Sequence, residues 1–389
     1  MRYFNYLSVK EQESLFFLPP EPIMIHDKTR LEYALGATLY MPATRKTIAQ
    51  DIIDGKLMGL MSMVWCLEDA IGDREVNTAE RSVVDHIGKL AWAVAQGIIS
   101  WADIPLIFVR IRNVEQMRRI AERLADNKTL LTGFVFPKFT VDNGYVYLEA
   151  LKKINECHSQ PMYGMPILES PEVIYIESRY KNLLEIKDLL DKYRSLVLNV
   201  RIGATDFSGL FGLRRSPDMT IYDIKVIGSC ITDIMNIFMR PDFPYVISGP
   251  VWEFFSSDRV LKPQLRNSLF SDRSGQAGGR MRDQLICRYL DGLIHEIILD
   301  KANGLTGKTI IHPSHIKPVQ ALCVVTHEEY MDATSILAGA TGDIGVISSH
   351  YGNKMNEIKP HMRWAQKIMI KSKIYGVFNE QHNFTSLLT

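Results

Sequence analysis

Two carboxylates in this chain stand where the sequence around them gives a charge little support. Glu169 ends the apolar run Tyr163–Glu169, and Asp206 follows the run Leu196–Ile202 through Gly203-Ala204-Thr205. A carboxylate at the end of an apolar strand gains little unless something positive faces it. Two carboxylates that leave further positions to water and substrate suit Mg²⁺, which prefers oxygen ligands and gives up its own waters reluctantly. The competing reading is local. Both acids would then cap the helices that follow, Asp206 in particular standing before Phe207-Ser208 as an N-cap does.

Cations accompany them. Arg110 and Arg112 are two apart on a candidate strand, which puts both on one face, and a guanidinium can grip a carboxylate at two points. Facing inward, they imply an anionic substrate; the alternative is an ion pair with Glu68 or Asp69. Lys138, after Pro137, is placed to orient an anion or to hold one of those carboxylates. A Schiff-base role has little support, because nothing near it in sequence would lower its pKa. His312-Pro313-Ser314-His315 offers either a proton shuttle or a hydrogen-bonded structural histidine. His-x-x-x-His and His-Glu-x-x-His spacings are absent, which argues against a zinc hydrolase.

These residues need strands to carry them. Short β-branched or apolar runs alternate with segments of helical period, the pattern of a parallel sheet built from βα units. The runs are Leu35–Met41, Leu60–Leu67, Leu106–Arg112, Gly133–Phe139, Tyr163–Glu169, Leu196–Ile202, Tyr245–Trp252 and Lys308–His312. Eight such strands predict a closed barrel, and function in such a barrel collects where the C-terminal strand ends converge. Five consecutive strands bring ionisable groups to that rim.

Helices are expected over 45–54, 78–97, 114–126, 145–157, 179–193, 222–239 and 281–302. In the second of these, Ala79, Val83, Ile87, Leu90 and Val94 form one covering stripe. Residues 1–32 read as an N-terminal extension and 33–317 as the barrel domain, with an insertion at about 256–280. The remainder, 318–389, reads as a C-terminal helical arm with helices over 318–338 and 353–372, a linker at 339–352 and no further strand. The glycines at 275–279 lack the strand–loop–helix context and Lys-Ser/Thr ending of a phosphate loop.

Composition excludes other classes. The 389 residues are 46% apolar and carry 45 basic against 44 acidic side chains, which provides no field for a nucleic-acid backbone or an anionic membrane. Five scattered cysteines without a Cys-x-x-Cys pair fit reduced thiols in a cytoplasm. The longest apolar run, Leu57–Leu67, falls well short of the ~20 residues a spanning helix requires, and charges at Lys10, Glu11 and Glu13 interrupt any signal peptide.

Taken in order, these segments resemble the citrate lyase β-subunit branch of the HpcH/HpaI aldolase family. Leu39-Tyr40-Met41-Pro42-Ala43 is similar to its Leu-Phe-Val-Pro-Gly/Ala, and Cys66-Leu67-Glu68-Asp69-Ala70 to its Asp-Leu-Glu-Asp-Ala/Gly, with Ala79-Glu80-Arg81 a looser match to its Ala-Arg. Val109-Arg110-Ile111 is similar to Val-Arg-Val/Ile-Asn, and Phe136-Pro137-Lys138 to Leu-Pro-Lys. Ile167-Leu168-Glu169-Ser170 is similar to Ile-Glu-Thr, and Gly203-Ala204-Thr205-Asp206-Phe207 to Gly-Ala/Gly-Glu-Asp-Leu/Phe. Gly307-Lys308 through Ile311-His312-Pro313-Ser314 is similar to Gly-Lys-x-x-Ile-His-Pro. The sequence departs from the pattern at Cys66, at Ala37-Thr38, at Arg112-Asn113 and in strand seven. Long divergent members of this kind are associated with tellurium-resistance gene clusters, a neighbourhood that says nothing about the reaction.

The resemblance implies an α/β fold, a TIM (β/α)₈ barrel, with Mg²⁺ on Glu169 and Asp206. It also implies that Arg110 holds an oxo-acid carboxylate, with Glu68, Asp69 and Lys138 around the same pocket. In some relatives a terminal arm reaches the neighbouring subunit's site; the segment 354–358 lies there in sequence, which makes Glu357 the nearest equivalent and implies a homo-oligomer with exchanged arms. The expected reaction is Mg²⁺-dependent carbon–carbon cleavage of a hydroxy acid, or of its coenzyme A thioester, to an oxo acid. The alternative is a barrel that binds a ligand or scaffolds a complex without turnover.

Overall fold

The computed structural model describes residues 1–157, 160–255 and 288–388. The expected insertion at 256–280, its glycines and the first part of the helix expected over 281–302 lie outside the described residues.

Strand β1 (Phe16–Leu18) belongs to the N-terminal extension. The barrel strands are β2 (Ala37–Pro42), β3 (Ser62–Cys66), β4 (Leu106–Arg110), β5 (Leu131–Phe136), β6 (Tyr163–Leu168), β7 (Arg201–Ile202) and β8 (Lys308–Ile310). All seven are parallel, in the order β7-β6-β5-β4-β3-β2-β8. They are buried along almost their whole length, as strands covered by helices outside and packed side chains inside must be. Register aligns their ends: Pro42 pairs with Cys66, Cys66 with Arg110, and Leu168 with Ile202. One step past those ends, Glu169 therefore meets Arg110 at the rim, with Gly203 against it.

The segment expected as strand seven closes the ring without forming a ladder. Single parallel bridges join Val200 to Ile247 and Gly249 to Lys308, with Ser248 N–H donating to Val200 at 3.1 Å and Thr309 N–H to Gly249 at 3.1 Å. Pro244 and Pro250 supply no backbone donor, so continuous pairing is interrupted. Side chains fill in: Asn199 Nδ2 donates to the Val246 carbonyl at 3.0 Å, and Ser248 Oγ to Asn199 Oδ1 at 2.8 Å.

The helix expected from the Ala79 stripe spans Val76–Ala95, and Ala79, Val83, Ile87 and Leu90 are fully buried. The last barrel helix, Arg288–Ala302, is fastened to the ring by buried charges. Lys308 Nζ pairs with Glu296 at 2.9 Å and Asp300 at 2.7 Å. Glu296 also binds the Arg215 guanidinium and the Ile221 N–H, and Tyr222 donates to Asp300 at 2.5 Å. Glu296 and Lys308 are wholly inaccessible.

The arm differs from expectation in two ways. First, the helix expected over 318–338 is two helices, Ile316–Cys323 and His327–Ala338. Val325 between them donates to Gly376 and accepts from Phe378, and Thr326 opens the second helix through a capping box with Glu329. Second, the arm contains strands. β9 (Val346–Ser348) and β10 (Met355–Glu357) form an antiparallel hairpin, so 339–352 is more than a linker and the following helix starts at Ile358, ending at Tyr375. Buried Asp332 holds the hairpin to helix His327–Ala338 by accepting from Ser349 Oγ at 2.7 Å and Asn356 Nδ2 at 2.8 Å. β11 (Val377–Phe378) then pairs with β1. These strands are three residues long or less, too short to show an alternating pattern, and β11 rests on a partner distant in sequence.

Tyr3 of the extension donates to Ala34 at 2.9 Å, just before β2, and packs on Tyr375. The extension and the end of the arm thus cover the N-terminal end of the barrel, opposite the rim. Among the described residues no helix is long and apolar enough to cross a membrane.

Candidate active site

Glu169 and Asp206 come together. Neither is a cap: Ser170 and Gly203 occupy the N-cap positions of the helices that follow, and neither helix has a side-chain cap bond. Burial pushes the Glu169 carboxyl up to about 8. The Arg110 charge opposes that rise, and the neighbouring Asp206 adds to it by its charge and by a hydrogen bond to the protonated form. Two carboxylates in contact inside a barrel mouth form a site that a divalent cation would neutralise.

Gly203 makes the approach feasible. A Cβ there would lie 2.0 Å from Glu169 Oε2 and 2.4 Å from its Cβ. Gly203→Ala is therefore expected to displace Glu169 and cost about 1–3 kcal/mol as an overpacked contact. Chemical denaturation checks this, and an unchanged midpoint would count against the packing described.

Around the acids lies a network of charges. Arg110, buried at the end of β4, reaches Glu68 at 2.5 Å, Asp69 at 2.9 Å and Glu169 at 3.3 Å, all through Nη2. Burial works against its charge, but Glu169, Cys66 and Glu68 outweigh it, and the guanidinium is held above its ordinary range. Lys138 Nζ pairs with Glu68, lies 3.4 Å from Asp69 and 3.8 Å from Asp206. Its pKa is raised, because the partnership with Glu68 outweighs burial. A lysine held protonated in this way is poorly suited to Schiff-base formation. Within the adjacent acidic pair, burial raises the Glu68 carboxyl, whereas the Asp69 carboxyl is lowered because its hydrogen bond to Glu68 and the facing Arg110 and Lys138 outweigh burial.

The Lys138 backbone has φ of 47°, left-handed and unusual for a residue with a side chain. It is fixed on both sides: its N–H donates to Glu169 Oε1 at 2.8 Å, and its carbonyl accepts from Asn143 Nδ2 at 2.8 Å. Local strain of this kind persists where the surroundings over-determine it, as at functional sites.

Arg112 does not share the face of Arg110. The strand ends at Arg110, so the two-residue alternation does not extend to Arg112. Its guanidinium instead donates to the Leu67 carbonyl at 2.8 Å and pairs with Asp73 at 2.7 Å, holding the loop that presents Glu68. Glu357 lies at the end of β10 on the arm, exposed, with its N–H donating to His361 Nδ1. No contact in the described residues joins it to the cluster, because the arm packs beside the barrel's last helices. His315 is a buried structural residue: Nε2 meets the Phe254 carbonyl at 3.1 Å, and burial brings its pKa down to about 4.

Three residues at the rim were not foreseen. Tyr40 feels the charges of Arg201, Arg110 and Glu169, and burial, the larger influence, raises its hydroxyl pKa. Buried Arg201 lies under the Tyr40 ring, 5.4 Å from its centre, and donates to Thr309 at 2.6 Å. Glu253, one residue past Trp252, accepts from Thr205 at 3.0 Å, next to Asp206. The available signal was alternation: Tyr40 faces inward two residues after Thr38, and Arg201 pairs with Ile167, two residues before Glu169.

Among the described residues no group of three or more His, Cys, Asp or Glu forms a metal cage. The donor set is two carboxylates, which fits a hard cation that retains waters.

Residues 29–377 match a family described as C–C bond lyase of the TIM-barrel fold. A comparison with curated proteins finds no match. Among solved structures, the chain is similar to a citrate lyase from Burkholderia xenovorans LB400, with a TM-score of 0.59 and 15% identity over 91% of this chain and 96% of that one. It is also similar to the CitE protein of Mycobacterium tuberculosis, solved with magnesium, acetoacetate and coenzyme A, with a TM-score of 0.51 and 16% identity over 88% of this chain and 99% of that one. At these identities the likeness is one of fold.

Proposed function

This chain belongs to the carbon–carbon bond lyase family of the TIM-barrel fold, and from that premise we propose that it is an Mg²⁺-dependent lyase. Its substrate is a β-hydroxy acid or the corresponding coenzyme A thioester, and its product an oxo acid. The observation that carries this reading is the contact of Glu169 with Asp206 beside Arg110.

Glu169 and Asp206 would hold the ion, which supplies Lewis acidity to an oxygen that gains charge as the bond breaks. Arg110 binds and orients the oxo-acid carboxylate so that the scissile bond is aligned. Glu68 and Asp69 keep Arg110 and Lys138 in place, and Lys138 adds a fixed positive charge beside Asp206. Cleavage also needs a group that takes the hydroxyl proton and one that returns a proton to carbon. Glu68 and Asp69 are engaged by cations, so the free carboxylate proposed for this step is Glu357 from a second copy of the chain. Arg110→Met is expected to weaken oxo-acid binding by about tenfold or more, the loss of a charge-assisted contact. Calorimetric titration with Mg²⁺ present reads this, and full affinity in the variant would remove Arg110 as the anion clamp.

A second reading has one observation in its favour. Cys66 stands where the family pattern has an acid, and burial pushes its thiol pKa up, so it stays neutral. A barrel that binds oxo acids without turnover fits that change. Turnover of a panel of hydroxyacyl thioesters separates the two: cleavage supports the lyase, and binding without cleavage supports the second reading.

A further inference from the structure

A cavity of about 700 Å³ lies between the barrel helices Arg288–Ala302 and Ile316–Cys323 and the arm helices His327–Ala338 and Ile358–Tyr375. That volume is within the range of small-ligand pockets, which favour such junctions. Its position, beside the last barrel helices, separates it from the charge cluster at the rim.

The lining is cationic. Arg363, Lys367 and Lys371 follow one another at four-residue steps on helix Ile358–Tyr375, and all three line the cavity. Lys301 and Lys354 line it as well, but carboxylates answer them: Lys301 pairs with Glu329 at 3.0 Å, and Lys354 with Glu328 at 2.6 Å and Asp332 at 2.8 Å. Among the described residues no carboxylate pairs with Arg363, Lys367 or Lys371. Three positive charges are thus left over on one helical face. Lys371 is the most enclosed; burial, with Lys301 facing it, brings its pKa down to about 8 against the opposing influence of Cys323 and of Glu329, which is itself paired with Lys301. Arg363 is exposed, whereas Lys367 and Lys371 are partly enclosed, and like charges brought together out of full contact with water are costly unless an anion accompanies them.

Much of the remaining lining is apolar. Trp364 and Ile368 share the helix with the cations, on the adjacent stripe. An indole beside a triple positive charge matches a ligand with a planar ring and several negative charges: the ring stacks, and the charges meet one fork-shaped and two point cations. A monocarboxylate would neutralise only one of the three.

We propose that this cavity is a binding site for a nucleoside polyphosphate, distinct from the barrel mouth, with Arg363, Lys367 and Lys371 on the phosphates and Trp364 against the base. The test is calorimetric titration of the full chain in magnesium-free buffer with ATP and, separately, with inorganic pyrophosphate. Wild type, Lys367→Ala, Lys371→Met, Trp364→Ala and Glu169→Ala are compared. Saturable binding of ATP is expected, weakened about tenfold or more in each lysine variant and unchanged in Glu169→Ala. ATP is expected to bind more tightly than pyrophosphate, and Trp364→Ala to remove that advantage. Lys371→Met removes a desolvated charge, so its thermal midpoint without ligand is expected at or above that of wild type, and Lys367→Ala provides a second reading at a less enclosed position. No binding of either probe, or binding untouched by both lysine variants, overturns the site. Loss of binding in Glu169→Ala alone would move it to the mouth, and equal affinity for the two probes overturns the nucleotide assignment.

Discussion

Glu169→Ala and Asp206→Ala are each expected to abolish Mg²⁺-dependent binding of oxo acids, with losses beyond about a hundredfold, since even indirect partners of a metal site account for 10–100-fold. With only two protein carboxylates in the donor set, either deletion removes half of it. Glu169→Ala also strips the acceptor from the Lys138 N–H, so Glu169→Gln is the sharper variant: the amide oxygen can still accept that bond, while the charge is gone. Arg110 keeps Glu68 and Asp69 as partners in either case. The expected result is a folded Glu169→Gln protein that no longer couples oxo-acid affinity to Mg²⁺ in calorimetric titration. Coupling that survives in both position-169 variants and in Asp206→Ala would remove the cation from this site.

The second large effect is on stability. Glu296→Ala is expected to cost about 3–5 kcal/mol, the range for breaking a buried ion pair by removing one partner. Three groups lose their acceptor at once: Lys308 Nζ, the Arg215 guanidinium and the Ile221 N–H. Asp300 still faces Lys308, but among the described residues Arg215 retains only the half-buried Glu253 as a carboxylate partner. Urea denaturation of wild type and variant measures the difference. A loss below about 1 kcal/mol, the scale of exposed pairs, would show that the network adds little.

How far the sequence disclosed all this depended on how local each signal was. The apolar runs ending in Arg112, Glu169 and Ile202 located the rim, because strands buried on both faces leave continuous apolar stretches. The meeting of Glu169 and Asp206 was legible through barrel geometry together with the family resemblance, and the role of Gly203 in admitting the Glu169 side chain was not, since a close approach leaves no trace in composition. Arg112 was misjudged because a period of two was carried past the strand end. The Thr326-x-x-Glu329 capping box was present in the sequence and marks the break that divides the expected helix at 318–338. Strands β9, β10 and β11 had no legible signal, because segments so short are defined by their partners.

The closure of the ring between β7 and β8 has a consequence for how such a chain can grow. The segment around Ile247 and Gly249 is joined to its neighbours by one short bridge on each side instead of a long ladder. Extra sequence entering just beyond it disturbs only short pairing, whereas the same addition after β3 or β4 would set a longer ladder out of step. The insertion expected at about 256–280 enters shortly after that seam in sequence, where the architecture has least to lose.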